Sequence, residues 1–130
     1  MEDREKTYNE WILQSDYDLE TASHLLDTHR NVYCIFMCHL CLEKALKSLY
    51  INYLDQIPPK IHSLLYFVDK LNIEMKEENL LFISKMDDLS IITRYPEDLR
   101  KMISLFSDVY TKDILNQTKL IQQWIKELLI

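Results

Sequence analysis

Apolar and small residues recur along the first part of the chain at spacings of three and four. Tyr8, Ile12, Ser15, Leu19, Ala22 and Leu26 share one stripe, while Glu10, Gln14, Asp18 and Thr21 are turned away. The pattern predicts a helix over about Thr7 to Asp27. The next segment, about Asn31 to Leu54, differs in kind: it opens Val32-Tyr33-Cys34-Ile35-Phe36-Met37-Cys38-His39-Leu40-Cys41-Leu42, with no polar side except His39. A helix apolar all round belongs at the centre of a bundle or of a dimer.

Pro58 and Pro59 stop that helix, because proline lacks the N–H and biases the preceding residue toward extended geometry. A third helix is predicted from about His62 to Leu71, with Leu64, Leu65, Val68 and Leu71 inward. A fourth runs from roughly Lys76 to Leu89, its start marked by Glu77 and Glu78, since carboxylates favour a helix N-terminus. Ile92-Thr93-Arg94-Tyr95-Pro96 reads as an extended segment, and Glu97 to Phe106 as another turn or two. The last helix, about Thr111 to Leu129, carries Ile114, Thr118, Ile121, Ile125 and Leu128 on one face, with Thr111 as its N-cap. No run alternates apolar and polar long enough to compete as a strand. The expectation is an all-α antiparallel up-and-down bundle of four main helices plus a short fifth, spanning residues 1–130 as a single domain.

Composition narrows the function classes. The 130 residues, 48% hydrophobic, suffice for one sizeable core. There is no glycine, so phosphate-cradling Walker and Rossmann loops are excluded, and no cofactor is expected. A net charge of −6 opposes non-specific attraction to a phosphate backbone, which argues against a DNA partner. Three cysteines on one helix build no disulfide framework, and no apolar run approaches the roughly 20 residues that span a bilayer. The chain is expected in the cytoplasm, without a membrane partner.

Candidate chemistry is sparse. Cys34, Cys38 and Cys41 line one helical face, but His39 lies about 100° from Cys38 and no CxxC pair exists; the thiols read as packing groups rather than metal ligands. Glu43 and Lys47 stand one helical turn apart, with Lys44 beside them. They form either an ion pair on a helix or a lysine pair held ready for a phosphate. His62 opens the third helix directly after Pro58-Pro59-Lys60, where Lys60, His62 and free helix N–H groups could receive an anion, or His62 could merely cap the loop. Arg94 offers a planar fork and Tyr95 a stacking ring for a nucleotide; alternatively Arg94 ties its segment down by meeting Glu43 or Asp88. If Lys44, Lys47, His62 and Arg94 share a function, they must converge on one cleft. His24 and His29 have no partner at ligand spacing, and Trp11 and Trp124 are expected to meet if the first and last helices lie side by side.

The ordered set of Trp11, Asp18-Leu19, Ala22, Glu43-Lys44-Ala45-Leu46-Lys47, Pro58-Pro59-Lys60-Ile61-His62-Ser63-Leu64, Arg94-Tyr95-Pro96 and Trp124 resembles the HEPN domain, named for nucleotide binding in higher eukaryotes and prokaryotes. The resemblance implies an antiparallel helical bundle that commonly forms a homodimer. Relatives are often encoded beside a minimal nucleotidyltransferase, sometimes as half of a toxin–antitoxin pair. Many cut RNA without a metal through Arg-x4-6-His, a pattern this chain lacks: Arg30 is followed by His39 at Arg-x8-His, and neither Arg94 nor Arg100 has a histidine after it. The implied role is a non-catalytic nucleotide-binding or partner-binding protein that works with a nucleotidyltransferase and binds its nucleotide through Lys44, Lys47, Lys60, His62, Arg94 and Tyr95. The alternative is a divergent metal-independent ribonuclease of toxin–antitoxin type, with His62 or His39 in proton transfer.

Overall fold

The apolar segment forms the axis around which the rest is arranged. In the computed structural model, which describes residues 2–130 and side chains from Thr7 onward, α2 (Asn31–Leu54) is touched by α1 (Glu2–Asp27), α3 (Leu64–Lys70), α4 (Glu77–Arg94), α5 (Leu99–Leu105) and α6 (Asp108–Leu128). The described residues are all-helical, with four long helices and two of seven residues each. α1 folds back on α2, as bonds from Ser15 to Cys41 and from Ser48 to Tyr8 record. α4 is also antiparallel to α2, with Asp87 level with His39 and Arg94 level with Phe36. α6 runs parallel to α2, from Asn31 beside Asp108 to Tyr53 beside Leu128.

Burial follows this plan. Cys34, Ile35, Cys38, Leu42, Ala45, Leu46 and Leu49 are fully enclosed, and α2 holds more buried residues than any other helix described. From α6, Ile114, Thr118, Ile121 and Ile125 face inward on the expected stripe. Ser15, on the inward stripe of α1, donates its hydroxyl to Cys41 O at 2.7 Å and accepts from Gln122 Nε2 at 3.0 Å. Gln122 also reaches Asp16, which Lys126 pairs with, so a polar network crosses the α1–α6 contact. No described helix is long and apolar enough to cross a membrane.

Without glycine, the chain closes three of its turns with polar residues in the left-handed region: His29 (φ 60°), Asp55 (φ 53°) and Asn72 (φ 54°). Asn and Asp tolerate this conformation better than most residues.

Several boundaries differ from the sequence expectation. α3 begins at Leu64, with Ser63 as N-cap accepting from Tyr66 N, so His62 lies just outside the helix. Leu65 is 38% exposed and Phe67 takes the inward place, because a seven-residue helix resting on α2 and α4 buries only a narrow stripe. α4 does not stop at Leu89; it continues to Arg94, placing Thr93 in the core. The steric effect of Pro96 acts on the residue before it, so helical geometry ends only at Tyr95, and the non-helical stretch runs from there to Asp98. The N-cap of α6 is Ser107, accepting from Tyr110 N, and Thr111 is a buried residue of the first turns. Asp18 does not face solvent, since Lys44 of α2 draws its carboxylate inward.

Candidate functional site

The site grows from the fold-back between α2 and α3. Asp55 ends α2 in the left-handed region, and Ile61 N–H donates to Pro59 O at 2.9 Å across a three-residue turn centred on Lys60. This turn carries His62 over the side of α2, where Glu43 waits. Glu43 Oε1 accepts from His62 Nδ1 at 3.1 Å, and Glu43 Oε2 accepts from Lys47 Nζ at 3.0 Å. One carboxylate, 4% exposed, therefore has both oxygens engaged. The ammonium of Lys47 is boxed in further by the rings of Trp11 at 5.4 Å and Phe67 at 5.8 Å. Charge and aromatic faces together compensate for taking a lysine out of water.

The consequence falls on the histidine. A carboxylate only accepts, so Nδ1 carries a proton toward Glu43, and Nε2 is a lone pair in the neutral ring and a second N–H donor in the imidazolium. The His62 side chain is 59% exposed and Nε2 has no hydrogen bond among the described residues. The imidazole is thus oriented by Glu43 and presented to solvent beside exposed Lys60.

A second carboxylate secures the same junction. Asp87 of α4 accepts from Leu64 N at 2.8 Å, Leu65 N at 3.1 Å, Ser63 Oγ at 3.1 Å and the fully buried His39 Nε2 at 3.0 Å. The helix N–H groups expected to receive an external anion already hold an internal one. Burial pushes the Asp87 carboxyl up, but bonds from His39 and the Leu64 and Leu65 amides outweigh it and leave it below the usual carboxylate range. A group depressed in the folded state lends stability above its unfolded value, near pH 3.9, and loses it as pH falls through the lower folded value. Hydrogen exchange read by NMR is expected to show protection of the Leu64 and Leu65 amides fading below about pH 4, ahead of the α2 core. Protection unchanged down to global acid unfolding would refute this role of Asp87.

The six residues singled out from sequence thus separate. Lys47 and His62 converge on Glu43, with Lys60 on the adjoining turn. Lys44 turns to the other side and pairs with Asp18 at 2.9 Å. Arg94 meets neither Glu43 nor Asp88; its guanidinium lies 5.2 Å from the Phe36 ring. Phe36 precedes Lys47 by three turns of α2, about 16 Å along the axis. Within one chain Arg94 does not share the His62 site. Tyr95, 75% exposed, lines a separate groove with Ile91 and Met102. Trp11 covers Lys47, whereas Trp124 lines a groove with Glu74, Met75 and Asn79. His29, though exposed, has a partner in Asp108.

Asp87 was not legible as a site residue. The only available signal was its spacing, four after Ile83 and three before Ser90, both buried. The thiols serve as packing: Cys34, Cys38 and Cys41 are free and enclosed, and burial pushes the Cys41 thiol up to about 12. Among the described residues no three His, Cys, Asp or Glu side chains are grouped to hold a metal.

Comparison with known proteins agrees with the helical arrangement. Two crystal structures superpose over 92% of this chain: TT1696 from Thermus thermophilus, with a TM-score of 0.78, 20% identity and 96% of its own length covered, and ST0689, an archaeal HEPN homologue, with a TM-score of 0.73, 22% identity and 95% covered. At such identities the likeness is one of fold. No curated protein sequence matches significantly. The profile of the HEPN domain family matches residues 8–128, from the start of the α1 stripe to the last residue of α6. The chain belongs to the HEPN domain family.

Proposed function

We propose that this protein is a non-catalytic, nucleotide-binding partner protein that works in the cytoplasm with a minimal nucleotidyltransferase, and that the nucleotide phosphate meets Lys60 and His62. One observation carries the reading: buried Glu43 orients an exposed imidazole, whose Nε2 donates to a phosphate when the ring is protonated, next to a lysine with no ion-pair partner among the described residues. Lys47 acts behind them by holding Glu43, and Lys44 by tying α2 to α1. Two exposed groups grip a phosphate weakly, so a second protein that supplies the remaining contacts fits this site better than a self-sufficient pocket does.

The test is nucleotide titration by calorimetry, with and without the nucleotidyltransferase. His62→Ala and Lys60→Ala are each expected to weaken binding by about tenfold or more, the usual scale for a charge-assisted bond, with the fold intact. Wild-type affinity in both variants would sink the proposal.

The same imidazole favours one second reading, a metal-independent ribonuclease. His62 Nε2 would accept the proton of a ribose 2′-hydroxyl while the 2′-oxygen bonds to phosphorus and the 5′-oxygen leaves with a proton from solvent. His39 cannot serve in this way, because it is fully buried against Asp87. Cleavage of single-stranded RNA in chelator that disappears in His62→Ala would select this reading over the first.

A further inference from the structure

The four histidines of the chain differ in the carboxylates they meet. His39 is enclosed and held by Asp87. His24 lies 3.8 Å from Glu20, and both side chains are exposed. His29 Nδ1 meets Asp108 at 3.1 Å, but that carboxylate is 57% exposed and water screens it. His62 alone joins an exposed ring to a buried carboxylate: Glu43, 4% exposed, accepts from its Nδ1 at 3.1 Å. A buried charge acts on its neighbour through a lower dielectric, so Glu43 stabilises positive charge on the ring more strongly than Asp108 can.

We propose that His62 Nε2 is a phosphoryl acceptor, a covalent modification site that takes its phosphoryl group from a phosphoramidate donor. In the neutral ring the Nδ1 proton faces Glu43 and the Nε2 lone pair faces solvent, the arrangement of a nucleophile oriented by a third group. Nε2 bonds to phosphorus while the P–N bond of the donor breaks. Ammonia leaves with that electron pair and needs no further proton, since the donor nitrogen carries three hydrogens in its zwitterion. The ring gains a positive charge, which Glu43 meets across the Nδ1–H bond. The local field admits an anionic donor. Lys47 neutralises Glu43 at 3.0 Å, Lys60 adds a cation on the adjoining turn, and Asp87, the other carboxylate of this junction, is turned to His39, Ser63 and the α3 amides. Because Glu43 occupies Nδ1, the product is the Nε2 isomer. The transfer uses the imidazole of the nucleotide reading but is measured without nucleotide, so the failure of either leaves the other standing.

The test is incubation of the full chain with potassium phosphoramidate, followed by intact and tandem mass spectrometry and by phosphorus NMR. His62 is expected to gain one phosphoryl group about tenfold or more faster than His24 or His29, the scale of one charge-assisted hydrogen bond. The added mass should be lost in mild acid, as a P–N bond requires, and the NMR signal should be that of the Nε2 isomer. Glu43→Met with Lys47→Met should slow modification of His62 by about tenfold or more and yield both ring isomers, with unchanged helical circular dichroism. His62→Ala should leave only the slow reaction of the other exposed histidines. An unmodified His62, a rate there no greater than at His29, or an unchanged rate and isomer in the double variant would each overturn the proposal. The comparison among the wild-type histidines decides it even where the double variant fails to fold.

Discussion

Replacing Glu43 with glutamine is expected to destabilise the protein by about 3 to 5 kcal/mol, the usual cost of leaving one member of a buried ion pair without its counter-charge. Lys47 would remain enclosed by Trp11 and Phe67, with a neutral amide where its carboxylate had been. The double change Glu43→Met with Lys47→Met removes both charges and keeps the volume, and should recover most of the loss, because neither partner is then stranded. Urea unfolding at constant m-value measures both variants. A single variant within about 1 kcal/mol of wild type would mean that water reaches the pair freely. Since Glu43 also orients His62, the double variant further separates stability from ligand binding: it should fold well and still bind nucleotide poorly.

Leu42→Ala is expected to cost about 3 to 5 kcal/mol, toward the upper part of the range for a buried leucine. Leu42 is fully buried on a helix that touches every other element, so few neighbours are free to collapse into the vacated space. Leu65→Ala provides the contrast. Its side chain is among the exposed hydrophobics, and the change should stay within about 0.5 kcal/mol. Comparable losses at the two positions would show that α2 is not the axis of the fold.

The contrast between Leu42 and Leu65 also shows which parts of the fold were legible in sequence. α2 was readable to its bounds, Asn31–Leu54, because an apolar surround and a proline pair leave one interpretation. The stripe of α1 was readable even at Ser15, where the spacing rather than the chemistry gave the direction. The burial of Asp18 is not legible in sequence, because it depends on Lys44, which only the α1–α2 fold-back supplies. The exposure of Leu65 and the end of α4 are not legible either, because local propensity does not reveal which neighbour covers a short helix or how far packing carries a helix toward a proline. At the site, the Glu43–Lys47 pair was visible as a one-turn spacing, whereas the bond from His62 to Glu43 joins residues on different elements. Asp87 lay deeper still. It gathers groups from α2, the α2–α3 loop and α3, and nothing adjacent to it in the chain announces that role.

The polar network between α1 and α6 has a bearing on the order in which the molecule assembles. Most other contacts of α1 are with α2, reached through a three-residue turn, so that helical hairpin closes early and at small entropic cost. The bond from Gln122 to Ser15 spans a separation of 107 residues and can form only when α6 has returned to the hairpin. Until then Ser15 already has the Cys41 carbonyl to satisfy it, and the waiting intermediate exposes no stranded hydroxyl. The late-arriving helix brings an amide that fits a donor–acceptor site prepared in advance, so α6 docks in register by recognition of a half-built core.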